Sequence, residues 1–402
     1  MSRPVRLLYL SFAFPPGMQA LFPALNAAGN GFETRMVNAL RQHFAVRSAG
    51  ILPLLPPPVT GPVDPASGVP HEAILLEKKP ELLHRYRSLA QLKAHYRRWV
   101  AEGWMPEVVF TYCFSPIYNN FIRWLSRQNP RPRLVLFLGD GPHLGENMSA
   151  WRRFRYRFKP LTILDEDMLR YYDACVGASP LVAKYFVPRK VPFFLMPGAV
   201  SPHRARREPG RAEVTGPIRF GYFGSLAPYT GVVEMLQKFL ALPLPNPIHV
   251  CGHGKLTETI AELARANPRL HFHGLLPTPE DCLDWAVTNC DVMVNPRPPS
   301  HGNENTFPSK LFEYGLTGRA ILASRLSGVE SVLGPEAFYF DPADLAGDFA
   351  AQVRLVSALP RTELRRRGVA IQAGLLARYD WSSQSAALAS FLKGLLPGGG
   401  GG

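Results

Sequence analysis

IRFGYFGSLAPYTGVVEMLQKFLALPLPNPIHVC, Ile218 to Cys251, is the stretch on which the fold turns. A largely apolar run, Ile218 to Phe223, leads into a loop containing Gly224, Pro228 and Gly231. An amphipathic segment, Val232 to Leu240, follows, and a second apolar run, Ile248 to Cys251, closes the unit. Short apolar runs bounded by glycine and proline read as buried strands, and apolar residues three and four apart read as one face of a helix. A strand, a helix and a strand in this order form a right-handed βαβ crossover, whose strands are parallel.

The same alternation extends in both directions. Downstream, a helix is expected at Thr257 to Ala266, with strands at Leu270 to Phe272, Val292 to Asn295 and Ile321 to Ala323. Upstream, strands are expected at Val5 to Phe12, Ala45 to Leu52, Val108 to Tyr112 and Leu134 to Leu138. Helices fall at Phe32 to Phe44, Glu81 to Val100 and Ile117 to Ser126, and shorter units run through Val176 and Phe193 to Met196. Pro53 to Pro70 is Pro-rich and too long for a routine connection. The polar, basic stretch PGAVSPHRARREPGRAEVTGP, Pro197 to Pro217, separates the two series and reads as a linker.

The expected architecture is α/β, with two Rossmann-like doubly wound domains facing a central cleft. One spans residues 1–197 and the other 218–378, joined by a linker at 198–217. An amphipathic C-terminal helix covers 379–396, and a glycine-rich tail, 397–402, carries no fold information. A length of 402 residues agrees with two domains. Ligands of such sheets bind beyond the carboxyl ends of the strands, and a cleft between domains is the natural place for them.

Composition narrows the class. Hydrophobic residues make up 46% and charged residues 19%, which excludes a disordered, collagenous or disulfide-scaffold chain. The five cysteines, Cys113, Cys175, Cys251, Cys282 and Cys290, form no C-x-x-C pair and read as buried free thiols of a reducing compartment. Arg3 and Arg6 precede an apolar stretch that ends before Pro15 and Pro16 with no small-x-small cleavage site, so a first strand fits better than a signal peptide. No run of 18 apolar residues exists. The net charge of +14 points to anionic partners.

Two stretches carry chemistry. In NAAGNGFETRMVNAL, Asn26 to Leu40, Gly29 and Gly31 are expected just before a helix N-terminus, where glycine lets backbone N–H groups approach an anion. An ordinary loop capped by Asn30 is the plainer alternative. In NPRPPSHGNENTFPSKLFEYGLTGRAILAS, Asn295 to Ser324, a strand ends at Asn295 and a helix is expected to start near Pro308. Ser309 and Lys310 occupy its first turn, and Glu313 lies one turn on. A cation there opposes the helix dipole, and an anionic ligand would give it a reason to be present. Glu313 can accept hydrogen bonds from a sugar diol. A solvated Lys–Glu pair is the plainer alternative.

FPSKLFEYGLTGRAILAS resembles the nucleotide-sugar motif of GT-B glycosyltransferases, especially the family 4-like group, whose pattern is PSKxxEYxxxGxPVxAS. FGSLAPYTGV, HVCGHGKL, CDVMVNP, YDACVGASPLVAKYF and ARYDWSSQS resemble further segments of that family in the same order, over about residues 3–395. The resemblance implies an acceptor-binding N-terminal domain and a C-terminal domain that binds a nucleotide-diphosphate sugar, UDP- or GDP-linked. It implies that Glu313 holds ribose hydroxyls, that Lys310 approaches the diphosphate, and that Gly29 and Gly31 face the phosphates. Ser309, Asn305, Gly224, Ser225, Gly252 and Gly254 fall at matching donor-side positions. No cofactor and no metal are implied, since basic side chains and helix ends offset the leaving-group charge. Two departures stand out. Many members carry Arg and Lys where this chain has Ser225 and Thr230, and a Glu where it has Asn305.

On the acceptor side, LVLFLGDGPHLGEN places Asp140 and His143 after a strand, where either could act as the base of an inverting transfer. Asp140 as a turn cap between Gly139 and Gly141 is the plainer alternative. Leu82 to Trp99 and Trp151 to Lys159 are basic and aromatic, a composition that suits an anionic membrane surface. Neither matches a nucleic-acid-binding signature. The expectation is a cytoplasmic glycosyltransferase, peripheral at the inner face of the membrane, that moves a sugar from a nucleotide sugar to a glycan or lipid-linked glycan. A non-catalytic sugar-nucleotide or glycan-binding protein and a sugar-nucleotide epimerase are the alternatives on the same fold.

Overall fold

In a computed structural model of the chain, residues 3–12, 27–53, 71–76, 81–139, 165–206, 215–300, 303 and 306–397 are described. They divide into two compact units. The first comprises Met1–Ala178, Val182–Met196 and Gln384–Gly402, and the second Ser179–Leu181 and Pro197–Ser383.

The first unit is built on a parallel sheet of seven strands: β1 (Arg6–Ser11), β2 (Ala45–Pro53), β3 (His71–Leu76), β4 (Val108–Tyr112), β5 (Arg133–Leu138), β6 (Ala174–Gly177) and β7 (Phe193–Leu195). Their spatial order is β3-β2-β1-β4-β5-β6-β7. Helices α1 (Ala27–Arg41), α2 (Glu81–Ala101), α3 (Pro116–Leu125) and the short α4 (Asp165–Met168) belong to it. Leu7, Leu8, Tyr9 and Leu10 of β1 are all wholly buried, as a central strand covered on both faces requires. α3 starts where it does because Ser115 accepts a hydrogen bond from the Tyr118 N–H and Pro116 needs no donor in the first turn.

The second unit repeats the plan. Its parallel strands are β8 (Phe220–Ser225), β9 (Ile248–His253), β10 (Leu270–Phe272), β11 (Val292–Asn295), β12 (Ala320–Ser324) and β13 (Phe338–Phe340). They lie in the order β10-β9-β8-β11-β12-β13. The helices are α5 (Val232–Leu240), α6 (Thr257–Ala266), α7 (Pro279–Asn289), α8 (Lys310–Leu316), α9 (Val329–Leu333), α10 (Asp348–Ala358) and α11 (Arg361–Tyr379). α7 opens on a capping box in which Thr278 and Asp281 satisfy each other's backbone N–H groups. Asp291 ties β8 to β11, accepting from both the backbone and the guanidinium of Arg219, and it also pairs with Arg361 of α11.

In each sheet the strand order reverses beside the first strand, between β1 and β4 and between β8 and β11. Both units are therefore doubly wound in the Rossmann manner. Several elements differ from the sequence reading. β3, α7, α9, α10, α11 and β13 were not anticipated, because their apolar positions are few or lie beside prolines and charges. α1 begins at Ala27 rather than Phe32, so Gly29 and Gly31 lie inside the helix and not in a loop before it. Close to a helix start each glycine costs at most about 1 kcal/mol relative to alanine, which the downstream buried face (Met36, Val37, Leu40) outweighs.

The stretch expected to be a linker is in part packed structure. Val200 forms a parallel bridge with Asp380, and Arg206 pairs with Asp284. The last helix, α12 (Trp381–Gly394), begins in the second unit, but from Gln384 onward the chain belongs to the first. There Phe391 packs on Phe194, and Lys393 lies 5.4 Å from the centroid of the Phe44 ring.

Candidate functional site

In a doubly wound sheet the ligand position is the carboxyl edge at the point of reversal, which in the second unit lies between β8 and β11. β8 ends there with Gly224 and Ser225, which stand in register with Gly252 and His253 of β9. The glycines are demanded by the backbone itself. A Cβ on Gly252 would lie 1.9 Å from the Gly224 carbonyl oxygen, and one on Gly254 would lie 2.4 Å from that of Leu226. Both residues have positive φ, 151° and 158°. Gly252 and Gly254 thus hold two strand ends at a separation that no other residue allows.

α8 carries the motif singled out in the sequence. Leu311, Phe312, Tyr314 and Leu316 face inward, and the Tyr314 hydroxyl donates to the Phe223 carbonyl at 2.9 Å while accepting from the Phe223 N–H at 3.3 Å. Tyr314 therefore locks α8 against β8. Sequence reasoning passed over this tyrosine, although it stands beside Glu313 in the motif. Lys310 and Glu313 remain half-exposed, and Lys310 Nζ donates to Glu313 Oε2 at 2.6 Å. The ammonium also lies 5.3 Å from the centroid of the Phe223 ring on β8. Ser309 precedes the helix, is exposed, and makes no side-chain cap bond.

Ser225 and Thr230, the residues that stand where many members of the resembled family carry Arg and Lys, differ in setting. Ser225 is exposed at the end of β8. The Thr230 hydroxyl is buried and donates to Ala227 within its own turn at 2.6 Å, so it faces its own backbone. A cation comes instead from the loop after β11. The Arg297 guanidinium is 5.6 Å from the Tyr229 ring and donates to Thr306 Oγ1. Asn303, almost fully buried, fastens the same loop through the carbonyls of Tyr229 and Pro298. The signal that could have found Arg297 is its place directly after the strand end Asn295-Pro296; Asn303 has no such signal.

In the first unit, Asp140 and His143 lie outside the described residues, as does Asn305 of the second. The described group at the carboxyl end of β1 is Glu33 of α1, which is only 2% exposed. Its carboxylate accepts from Ser11 Oγ and from the Phe12 N–H, both at 2.9 Å. Burial raises its pKa to about 7 against the pull of those two bonds. Tyr118 of α3 donates to the Ser11 carbonyl. At the end of β4, Cys113 adopts a left-handed backbone, φ 59°, a strained setting for a residue with a Cβ.

The basic helix α2 divides its aromatic and basic residues. Tyr96 and Trp99 are buried, while Arg87, Arg97 and Arg98 are exposed. Lys93 and Arg97 stack over Trp124, and Arg47 over Trp99 and Trp104. The interleaved pattern is therefore accounted for in part by packing within the unit. Trp151 to Lys159 lies outside the described residues. Among the described residues no helix is long and apolar enough to cross a membrane, and no cluster of three His, Cys, Asp or Glu side chains is arranged to hold a metal ion.

Comparison with known proteins agrees with this fold. Residues 217–358 match the family Glycosyl transferases group 1. No curated protein matches the chain at the sequence level. Among solved structures, it is similar to sucrose-phosphate synthase from Thermosynechococcus elongatus, with a TM-score of 0.71 and 13% identity over 97% of this chain and 99% of that one. It is also similar to an α,α-trehalose-phosphate synthase (UDP-forming) from Burkholderia vietnamiensis, with a TM-score of 0.67 and 15% identity over 98% of each chain. A third is Anabaena HepE in complex with UDP and glucose, with a TM-score of 0.63 and 15% identity over 96% and 99%. Residues 217–358 of the second unit thus match a glycosyltransferase group 1 domain, and the chain has the GT-B fold over its length.

Proposed function

We propose that the second unit binds a UDP- or GDP-linked sugar at the carboxyl ends of β8, β9 and β11, and that the transfer goes to a hydroxyl of a glycan or lipid-linked glycan. The observation that carries the donor assignment is α8. Its Lys310 and Glu313 point away from the core at the sheet's point of reversal, on a helix that Tyr314 bolts to β8. The solved neighbour with bound UDP and glucose supports a nucleotide-sugar donor. Glu313 accepts from the ribose hydroxyls, which requires the Lys310–Glu313 pair to open and frees the ammonium for the diphosphate. Arg297 adds the second positive charge that Ser225 and Thr230 do not supply. These cations offset the charge that develops on the departing nucleoside diphosphate, and no metal is assigned to that role.

Asp140 and His143 are assigned to the acceptor side, one as the base or as a ligand of the transferred sugar. The exposed arginines of α2 suit an anionic lipid surface at the inner face of the membrane, where a lipid-linked acceptor is met. The test is calorimetric titration with UDP and GDP, together with nucleoside diphosphate release across donors and acceptors. Glu313→Ala should weaken nucleotide binding by about 10- to 100-fold, the span of a hydrogen bond to a charged group. Unchanged affinity in that variant would remove Glu313 from the site.

A further inference from the structure

Two loops at the sheet's point of reversal are fastened to each other by a buried side chain. One loop follows β8 and carries Tyr229; the other follows β11 and carries Arg297. Asn303 belongs to the second loop and is 4% exposed. Its Nδ2 donates to the Tyr229 carbonyl at 3.1 Å and to the Pro298 carbonyl at 2.9 Å, so both amide hydrogens are used. Its Oδ1 stands 3.5 Å from Arg297 Nη1, the long end of a hydrogen bond. A flipped amide would set oxygen against two carbonyls, which fixes the orientation. The loop backbones also touch. A Cβ on Gly231, whose φ is 69°, would lie 2.5 Å from the Pro296 carbonyl oxygen.

We propose that Asn303 and Tyr229 are positioning residues for Arg297: the Asn303 amide couples the two loops, and the Tyr229 ring holds the guanidinium in place for the diphosphate. The guanidinium lies 5.6 Å from the centroid of the Tyr229 ring, within cation–π reach. Nη1 also donates to Thr306 Oγ1 at 3.1 Å. The Tyr229 side chain is 54% exposed, so what it contributes is this contact rather than core packing. Its backbone cannot carry the ring away, because Asn303 grips the Tyr229 carbonyl.

A guanidinium suits this task because it stacks by its face and donates by its edge. Edge N–H groups remain for a phosphate while the ring and Thr306 hold the rest. An arginine on an unfastened loop turns about several side-chain bonds, and a ligand that must first order them binds more weakly. Ring, hydroxyl and amide oxygen remove much of that freedom before the ligand arrives. The cation thus stands on one loop, while the ring that aims it stands on the other. Asn303 keeps the two in register. Both positioning residues act through Arg297, so their effect on nucleotide binding should vanish once Arg297 is replaced.

This rests on the donor assignment, and the experiment separates the two. UDP and GDP are titrated by calorimetry into the full-length protein and its variants, with thermal unfolding as the check on folding. Arg297→Gln should weaken the nucleotide that binds by about 10-fold or more, and Tyr229→Leu by about 3- to 10-fold. Tyr229→Phe keeps the ring and should restore the affinity lost in Tyr229→Leu. Asn303→Ala should weaken binding as well. Tyr229→Leu or Asn303→Ala made on top of Arg297→Gln should cost no further affinity. Losses that add, or Tyr229→Leu with the affinity of wild type, would overturn the positioning role. Amide hydrogen exchange tests the coupling of the loops with no ligand present. Asn303→Ala should speed exchange in residues 226–231 of the other loop, and unchanged exchange there would overturn the coupling. If the wild type binds neither UDP nor GDP, the donor assignment fails and Arg297 loses its proposed ligand, while exchange still decides whether Asn303 joins the loops.

Discussion

Glycine 252 is the residue with the least freedom in the nucleotide-binding unit. Its missing Cβ admits the Gly224 carbonyl oxygen, and its φ of 151° disfavours any side chain. Gly252→Ala should therefore destabilise the second unit by at least about 2 kcal/mol and lower nucleotide affinity, read by urea unfolding and calorimetry; a neutral substitution would mean the two strand ends can part. The pair Lys310 and Glu313 shows how residue type and role diverge. Their spacing was legible in the sequence, and the structure shows that each currently satisfies the other at 2.6 Å. Glu33 shows the converse. Nothing in its spacing marks a buried carboxylate, yet its two hydrogen bonds hold the end of β1.

At the scale of elements, β9 and β10 carry an unusual stack. The rings of His249 and His271 lie 4.7 Å apart and those of His249 and His273 5.4 Å apart, with His249 Nδ1 3.2 Å from His273 Nε2. Burial and then the neighbouring imidazoles lower His249 to about 4, and burial and His271 lower His273. A histidine depressed in the folded state is neutral there while its unfolded counterpart, near 6.5, takes up protons. The stack's contribution is thus whole above about pH 6.5 and is lost as pH falls toward 4. His249 is partly solvent-exposed, so screening limits the loss to about 1–2 kcal/mol. Urea unfolding at pH 7 and pH 4.5 should show a smaller acid loss in His249→Gln than in wild type; equal losses would place the acid sensitivity elsewhere.

At the scale of the molecule, the chain's end is spent on its beginning. Residues 384–402 belong to the first unit, and Leu388, Ala389 and Leu392 are buried there. Removing one buried leucine costs about 2–5 kcal/mol, and a domain has about 5–15 to lose. Deleting residues 384–402 should therefore expose β1 to β7 to rapid hydrogen exchange while β8 to β13 keep their protection and nucleotide binding. Unchanged exchange in the first unit would show that α12 is dispensable to it.

Local alternation of apolar runs and helix-period segments was enough to determine two doubly wound units, the strand at each motif, and the Lys310–Glu313 helix, because these depend on short continuous apolar runs and on a 3.6-residue period within a short window. Other features depended on contacts between distant residues. The burial of Glu33 beneath Ser11, the grip of Tyr314 on Phe223 and the charge of Arg297 near Tyr229 each join residues on separate elements. So does the return of the final helix to the first unit. Tertiary packing alone decided them, since no spacing along the chain encodes which face of one element will meet another.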